Sequence, residues 1–180
     1  MKKNINKILI FLDQSIVSLG NFLITILLLK FLGLNQFGIF SFFWIFLLLI
    51  QSLQLAYIIS PMLSNIPFQN NSNIKYFYGG IFLQQILLCL IIFFLIFIFL
   101  KYFFNIFFSY NVLNLYLPFS LILVSSQLFQ FCRRLLISLG YTKLLIIVDF
   151  FIYFILIISI IIFKQYYYLD LEVIFWQFFI

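Results

Sequence analysis

The chain has 180 residues, of which 67% are hydrophobic and 8% are charged, and its mean hydropathy is +1.27. Soluble domains contain roughly 45 to 50% apolar residues, so this composition excludes an ordinary soluble protein and predicts an integral membrane protein. The net charge of +6 does not predict nucleic-acid binding, because the basic residues are scattered along the chain and form no cluster. The apolar runs have helical length, whereas membrane β-barrels show alternating segments of about 10 residues. The predicted fold is all-α.

Apolar segments predict a polytopic helix bundle in a single domain, 1–180. The complete spans are predicted over 8–31, 39–62, 79–100, 115–138 and 144–163. A sixth begins over 171–180 and would rise only about 15 Å, whereas a span must cross about 30 Å of hydrocarbon. We therefore expect five complete spans and a truncated sixth, as in the front part of a longer transport protein.

Turn-forming residues separate several of these spans. Gly33, Asn35 and Gly38 predict a short turn over 32–38, and the stretch 140–143 predicts another between spans four and five. Within span two, Pro61 should kink the helix, because it lacks the N–H that would bond the carbonyl of Tyr57.

Basic residues predict the orientation of the chain. With a cytoplasmic amino terminus, the inner ends of the spans carry Lys2, Lys3, Lys7, Lys75, Arg133, Arg134 and Lys143. The outer ends carry Lys30, Lys101 and Lys164. Positive residues are enriched on the cytoplasmic side of membrane proteins, so this asymmetry predicts that the amino terminus is cytoplasmic.

Polar side chains recur along one side of three spans. At about 100° per residue, span one aligns Gln14, Ser18, Asn21 and Thr25. Span four aligns Tyr116, Ser120, Gln127 and Arg134, with Gln130 at the flank, and span two carries Trp44, Gln51 and Gln54. Such groups are costly in hydrocarbon, so we expect them to line a shared wet interior. The alternative is that they form hydrogen bonds across helix contacts.

Four charged residues lie in the cytoplasmic third of their spans: Asp13, Arg133, Arg134 and Asp149. Asp149 follows Arg134 across a short turn, so these two can form an ion pair that lowers the cost of burying each charge. Arg134 lies on the polar stripe of span four. Arg133 lies about 100° away from it and is interpreted as an anchor for the topology.

The sequence contains no group of residues typical of an enzyme. Histidine is absent, only four residues are acidic, and there is no Gly-rich phosphate loop or nucleophile beside a base. Cys89 and Cys132 lie inside predicted spans without a CxxC motif, which argues against a zinc site and a disulfide framework. We expect neither catalysis nor a metal or other cofactor.

Three stretches, 11–40, 56–62 and 130–150, resemble the bacterial polysaccharide flippases of the multidrug, oligosaccharidyl-lipid and polysaccharide exporter superfamily. In that family an opening helix bearing an Asp and an Asn leads through a short Leu-Gly turn to the second helix. An Arg-bearing fourth helix then leads through a Gly turn to a fifth helix that starts near an Asp. The resemblance covers only the amino-terminal half of a fold with two bundles.

The resemblance implies alternating access that carries a polyprenyl-diphosphate-linked oligosaccharide, such as a lipopolysaccharide O-antigen or capsule repeat unit, across the bacterial cytoplasmic (inner) membrane. Arginine forks suit a diphosphate, and amides, hydroxyls and indoles suit sugars. The candidate binding residues are Gln14, Ser18, Asn21, Trp44, Gln51, Gln127, Gln130, Arg133 and Arg134. The implied partners are membrane lipid and either a second copy or a separately encoded half. The alternatives are a non-transporting scaffold subunit of a glycan-assembly complex and a multidrug exporter.

Overall fold

A computed structural model describes residues 2–68, 74–107, 115–166 and 170–179, and within these ranges it contains helices and short turns but no β-strand. The all-α prediction is confirmed for this part of the chain. The helices are α1 (Lys2–Gln54), α2 (Ser60–Asn65), α3 (Ile74–Phe107), α4 (Tyr116–Ser138), α5 (Thr142–Tyr166) and α6 (Leu171–Phe179). A π-helical turn, Leu55–Ile59, joins α1 to α2, and a 3₁₀ turn, Ile66–Phe68, follows α2.

Four helical segments of the described chain are long and apolar enough to cross a membrane, which supports a multi-pass membrane protein. They are Ile8–Asn65, Ile74–Ile98, Tyr116–Ser138 and Thr142–Gln165. The first has 58 residues and would measure about 87 Å as a straight helix, far more than the roughly 30 Å of a hydrocarbon core.

One glycine interrupts α1. Gly33 has φ 74° and ψ 171°, a conformation that only glycine adopts without strain because it lacks a Cβ. The sequence predicts a turn over 32–38, but Asn35 and Gly38 are helical. The helix therefore changes direction at a single residue, which divides α1 into a first arm (2–32) and a second arm (34–54).

The chain accommodates Pro61 by widening one helical turn. The N–H of Ser60 donates to the carbonyl of Leu55, five residues back, as in a π-helix. Pro61 lies in the first turn of α2, where its missing N–H would otherwise have bonded the carbonyl of Tyr57. The sequence predicts a kink at Pro61, and the irregularity that the structure shows before this proline is the π-turn Leu55–Ile59.

The predicted turn after span four is a Schellman cap. Gly140 has φ 81°, its N–H donates to the carbonyl of Ile137 at 3.1 Å, and the N–H of Tyr141 donates to that of Leu136 at 3.0 Å. These two bonds satisfy carbonyls that the end of a helix leaves without partners. As a result α4 ends sharply, and α5 begins at Thr142.

The chain divides into two compact units. Of the described residues, unit 1 comprises 2–42, 135–166 and 170–178, and unit 2 comprises 43–68, 74–107, 115–134 and 179. The buried core of unit 1 consists of Ile24, Leu28, Phe40, Leu145, Ile160, Leu171, Ile174 and Phe175. The core of unit 2 includes Phe43, Leu47, Ile50, Ile58, Ile59, Met62, Ile81, Ile96, Phe119, Ile122, Leu123 and Phe131. Each unit therefore has its own apolar interior.

Candidate functional site

Unit 2 contains a fully buried cluster of amides, the amide cluster, formed by Gln54, Gln85 and Gln127. The side-chain N–H₂ of Gln54 donates to Oε1 of Gln85 at 2.9 Å and to the backbone carbonyl of Gln127 at 2.7 Å. The Gln85 amide in turn donates to the sulfur of Cys89 at 3.2 Å. All three glutamines are 0% exposed. The cluster therefore links the end of α1 to α3 and α4.

Part of the hydrogen-bonding capacity of this cluster is unused. Oε1 of Gln54, and both Nε2 and Oε1 of Gln127, have no hydrogen-bond partner among the described residues. Leaving a buried polar atom unpaired costs about 1 to 3 kcal/mol. The side chain of Gln127 therefore adds a polar group to the interior of unit 2, and its backbone carbonyl makes the observed contact.

The amide cluster lies beside the irregular part of the helix. Gln54 is the last residue of α1, immediately before the π-turn Leu55–Ile59. Helical periodicity places Gln54 on the polar side of span two, whereas Gln85 is not among the predicted polar positions. The available signal was the spacing of Gln85 and Cys89, which puts two polarisable side chains one helical turn apart in a span whose other amide is Gln84.

In unit 1, the stripe predicted for span one is mostly exposed. Gln14, Ser18 and Thr25 are exposed, and Asn21 is half-buried. The Thr25 hydroxyl donates to the carbonyl of Asn21 at 2.7 Å, within its own helix. We call Gln14, Ser18, Asn21 and Thr25 the polar stripe.

The polar stripe borders the buried face of the first arm. At about 100° per residue, the buried positions Asp13, Gly20, Ile24 and Leu28 lie to one side of the stripe. The exposed apolar positions Leu12, Leu19, Leu23 and Ile26 lie on the other side. The first arm therefore has three faces: a packed face, a polar border and an apolar face suited to lipid.

Asn21 also belongs to a tight contact with α5. The Tyr153 hydroxyl donates to Oδ1 of Asn21 at 3.1 Å. On the preceding residue, Gly20, an added Cβ would lie 2.5 Å from Cγ of the same tyrosine ring. Glycine thus lets the ring lie against the backbone of α1, as small residues do at membrane helix contacts. Asn21 has a structural partner within unit 1.

The candidate charged residues fall in both units. Asp13 and Asp149 are 2% and 0% exposed and belong to unit 1, whereas Arg133 and Arg134 are half-buried and belong to unit 2. Ionisable side chains within membrane spans are costly and commonly mark functional positions. The ion pair between Arg134 and Asp149 stays a prediction.

The remaining candidates lie in unit 2. Trp44, Gln51 and Gln130 are half-buried. On the stripe predicted for span four, Ser120 is fully buried, and its hydroxyl donates to the carbonyl of Leu117 at 2.8 Å. Together with the burial of Gln127, this places the middle of that stripe in the packed interior of unit 2.

Within the described ranges, no three His, Cys, Asp or Glu residues are placed to hold a metal ion. No protein-family model, curated protein or solved structure matches this chain. What the protein does must therefore follow from its own residues and their placement.

Proposed function

We propose that this chain is one bundle of a membrane transporter that moves a lipid-linked oligosaccharide across the bacterial cytoplasmic membrane by alternating access. The observation that carries the proposal is the exposed polar stripe on the first arm of α1, in a segment apolar enough to span a membrane. Amides and hydroxyls facing hydrocarbon are unfavourable. The stripe therefore requires water or another polar surface against it.

The position of the stripe favours a cavity over a lipid-facing role. The stripe lies between the packed face and the apolar face of the first arm. The apolar face can therefore contact lipid while the stripe faces an aqueous path. Gln14 and Ser18 supply the donors and acceptors that sugar hydroxyls need. Alternating access requires a second bundle that rocks against the first. That bundle would be a second copy of this chain, a separately encoded half or, where this chain is the front part of a longer protein, the rest of that protein.

Arg134 is the proposed partner of the lipid diphosphate. Its guanidinium offers a planar fork of donors that a lysine lacks, and it is only half-buried, within the last turns of α4. In cells that depend on this chain for export, Arg134→Ala should lose most surface polysaccharide, and Arg134→Lys should retain part of it. Arg133→Ala is the matched control and should have a milder effect. Wild-type export from Arg134→Ala at normal protein levels would remove the residue from the site.

The proposed topology has five complete spans and the start of a sixth. The two arms of α1 count as separate spans, since Gly33 divides them, and α6 begins the sixth. The basic-residue asymmetry favours a cytoplasmic amino terminus. A single cysteine introduced as Ser64→Cys, with Cys89 and Cys132 replaced by serine, should react with an impermeant thiol reagent only after the cells are opened. Reaction in intact cells would reverse the orientation.

A second candidate, a non-transporting scaffold subunit of a glycan-assembly complex, is favoured by the amide cluster. Gln54 and Gln85 hydrogen-bond each other inside unit 2, so their polarity can be explained by packing alone. The two candidates differ in one measurable respect. Deleting a transporter bundle leaves completed lipid-linked oligosaccharide in the inner leaflet, whereas deleting a scaffold reduces the synthesis of that oligosaccharide.

A further inference from the structure

Two lysines from distant parts of unit 1 lie against one aromatic ring. The ammonium nitrogens of Lys30 and Lys164 are each 6.0 Å from the centroid of the Phe31 ring. Lys30 precedes the Gly33 break in α1, and Lys164 lies in the last turn of α5. Because both nitrogens lie 6.0 Å from the same point, they are at most twice 6.0 Å apart. The same end of unit 1 carries both charges.

No acidic residue in the described part of the chain neutralises either lysine. Both side chains are exposed, and neither ammonium forms an ion pair with any acidic residue in the described part of the chain. The nearest acid downstream of Lys164 in the sequence is Asp170, whose Oδ1 accepts a hydrogen bond from the N–H of Leu171 at 2.8 Å. The ring of Phe31 provides only a weak cation–π contact at this distance. Both ammonium groups thus keep donors for an external anion.

The position of this pair selects the kind of anion. Lys164 is next to the end of the apolar segment Thr142–Gln165, and Lys30 lies at the end of the first arm. Lysine stems at span ends reach toward the headgroup layer, and aromatic rings favour the same layer. An anion held there would be a phosphate attached to acyl chains that run along the apolar surface below.

We propose that Lys30, Phe31 and Lys164 form a binding site for the phosphate of an anionic phospholipid at the edge of unit 1. The two ammonium groups contact the phosphate oxygens from two helices, and the Phe31 ring lies beside both of them. A bound lipid would join the first arm of α1 to the end of α5. The proposal depends on neither the transport function nor the orientation of the chain.

Native mass spectrometry of the purified protein in detergent tests the site. The probes are dioleoyl phosphatidylglycerol, dioleoyl phosphatidylcholine and inorganic phosphate. Wild type should retain the first lipid in preference to the second. Lys30→Gln and Lys164→Gln should each weaken phosphatidylglycerol binding about fivefold, as expected for one basic residue at an anionic membrane surface. The double variant Lys30→Gln and Lys164→Gln should weaken phosphatidylglycerol binding by the product of the two single effects.

The matched control is the double variant Lys75→Gln and Lys143→Gln, which removes two exposed lysines from other helix ends and leaves the net charge equal to that of the test variant. Its affinity for phosphatidylglycerol should stay close to that of wild type. An equal loss of phosphatidylglycerol affinity in both double variants would show that net charge alone causes the effect, and it would overturn the proposed site. Competition by millimolar inorganic phosphate as strong as that by the lipid would assign the pair to a soluble anion and overturn the lipid proposal.

Discussion

The two compact units place the same kinds of polar side chain in opposite environments. In unit 2, Gln54 and Gln85 are fully buried and bonded to each other. In unit 1, Gln14 and Ser18 are exposed along the polar stripe. A buried amide contributes by linking helices, whereas an exposed amide on an apolar span is free to meet water or a solute. The difference separates a structural polar cluster from a candidate transport surface.

The units also differ in how their helices come together. Unit 1 uses a close approach of backbone and ring at Gly20 and Tyr153. Unit 2 uses interlocking aromatic side chains, with the rings of Phe43 and Phe119 only 4.5 Å apart between centroids. Small residues suit van der Waals packing in lipid, where the hydrophobic effect does not drive helices together. Unit 1 should therefore be the more sensitive of the two to added volume.

The largest effect is expected from Gly20→Ala. The new Cβ would overlap the Tyr153 ring, which cannot move away as a flexible chain end would, and overpacking of this kind costs about 1 to 3 kcal/mol. Thermal unfolding in detergent measures the loss. Gly80→Ala is the control, because nothing lies within 4 Å of its added Cβ. In the Tyr153→Ala background, Gly20→Ala should cost clearly less than it does in wild type, and an unchanged cost there would contradict the overlap.

A smaller effect is expected from Gln85→Leu. It removes the acceptor of the Gln54 amide at 2.9 Å and leaves a buried donor with fewer partners, which should lower the free energy of unfolding by about 1 kcal/mol. Gln84→Leu is the neighbouring control, since Gln84 is exposed. Equal destabilisation by both variants would show that the amide cluster does not hold unit 2 together.

Tyr153→Phe should cost about 0.6 kcal/mol, the average for a hydrogen bond between membrane helices. It deletes the hydroxyl that donates to Asn21 but keeps the ring against Gly20. Tyr57→Phe is the control, because Tyr57 is exposed. A loss as large as that of Gly20→Ala would make the hydrogen bond, and not the close packing, the main link between α1 and α5.

The smallest effect on stability is expected from the double variant Gln14→Leu and Ser18→Leu. Both side chains are exposed, so the free energy of unfolding should change by less than about 0.5 kcal/mol. Export should nevertheless fall sharply if these side chains line the proposed path. Leu19→Ala, on the apolar exposed face, should leave export unchanged. Normal export in the double variant would end the functional distinction between the two units.

Several features were predictable from the sequence because local chemistry decides them. Apolar runs of helical length predict membrane helices, and Gly140 predicts a turn after span four, which the structure forms as a Schellman cap. The break in α1 was also predictable, although it occupies Gly33 alone and not the whole stretch 32–38. At Pro61, the missing hydrogen bond was predictable, but the π-turn that accommodates it was not.

Only the tertiary structure decided which polar faces are buried. The stripes of spans one and four have nearly the same periodicity, yet Ser18 is exposed and Gln127 is fully buried. Likewise, Gln84 and Gln85 are adjacent in the sequence, but only Gln85 faces the amide cluster. Helical periodicity determines which residues share a face of a helix, and the apolar composition predicts that the helices lie in a membrane. Which face meets another helix depends on contacts between residues far apart in the chain, and no local pattern encodes those contacts.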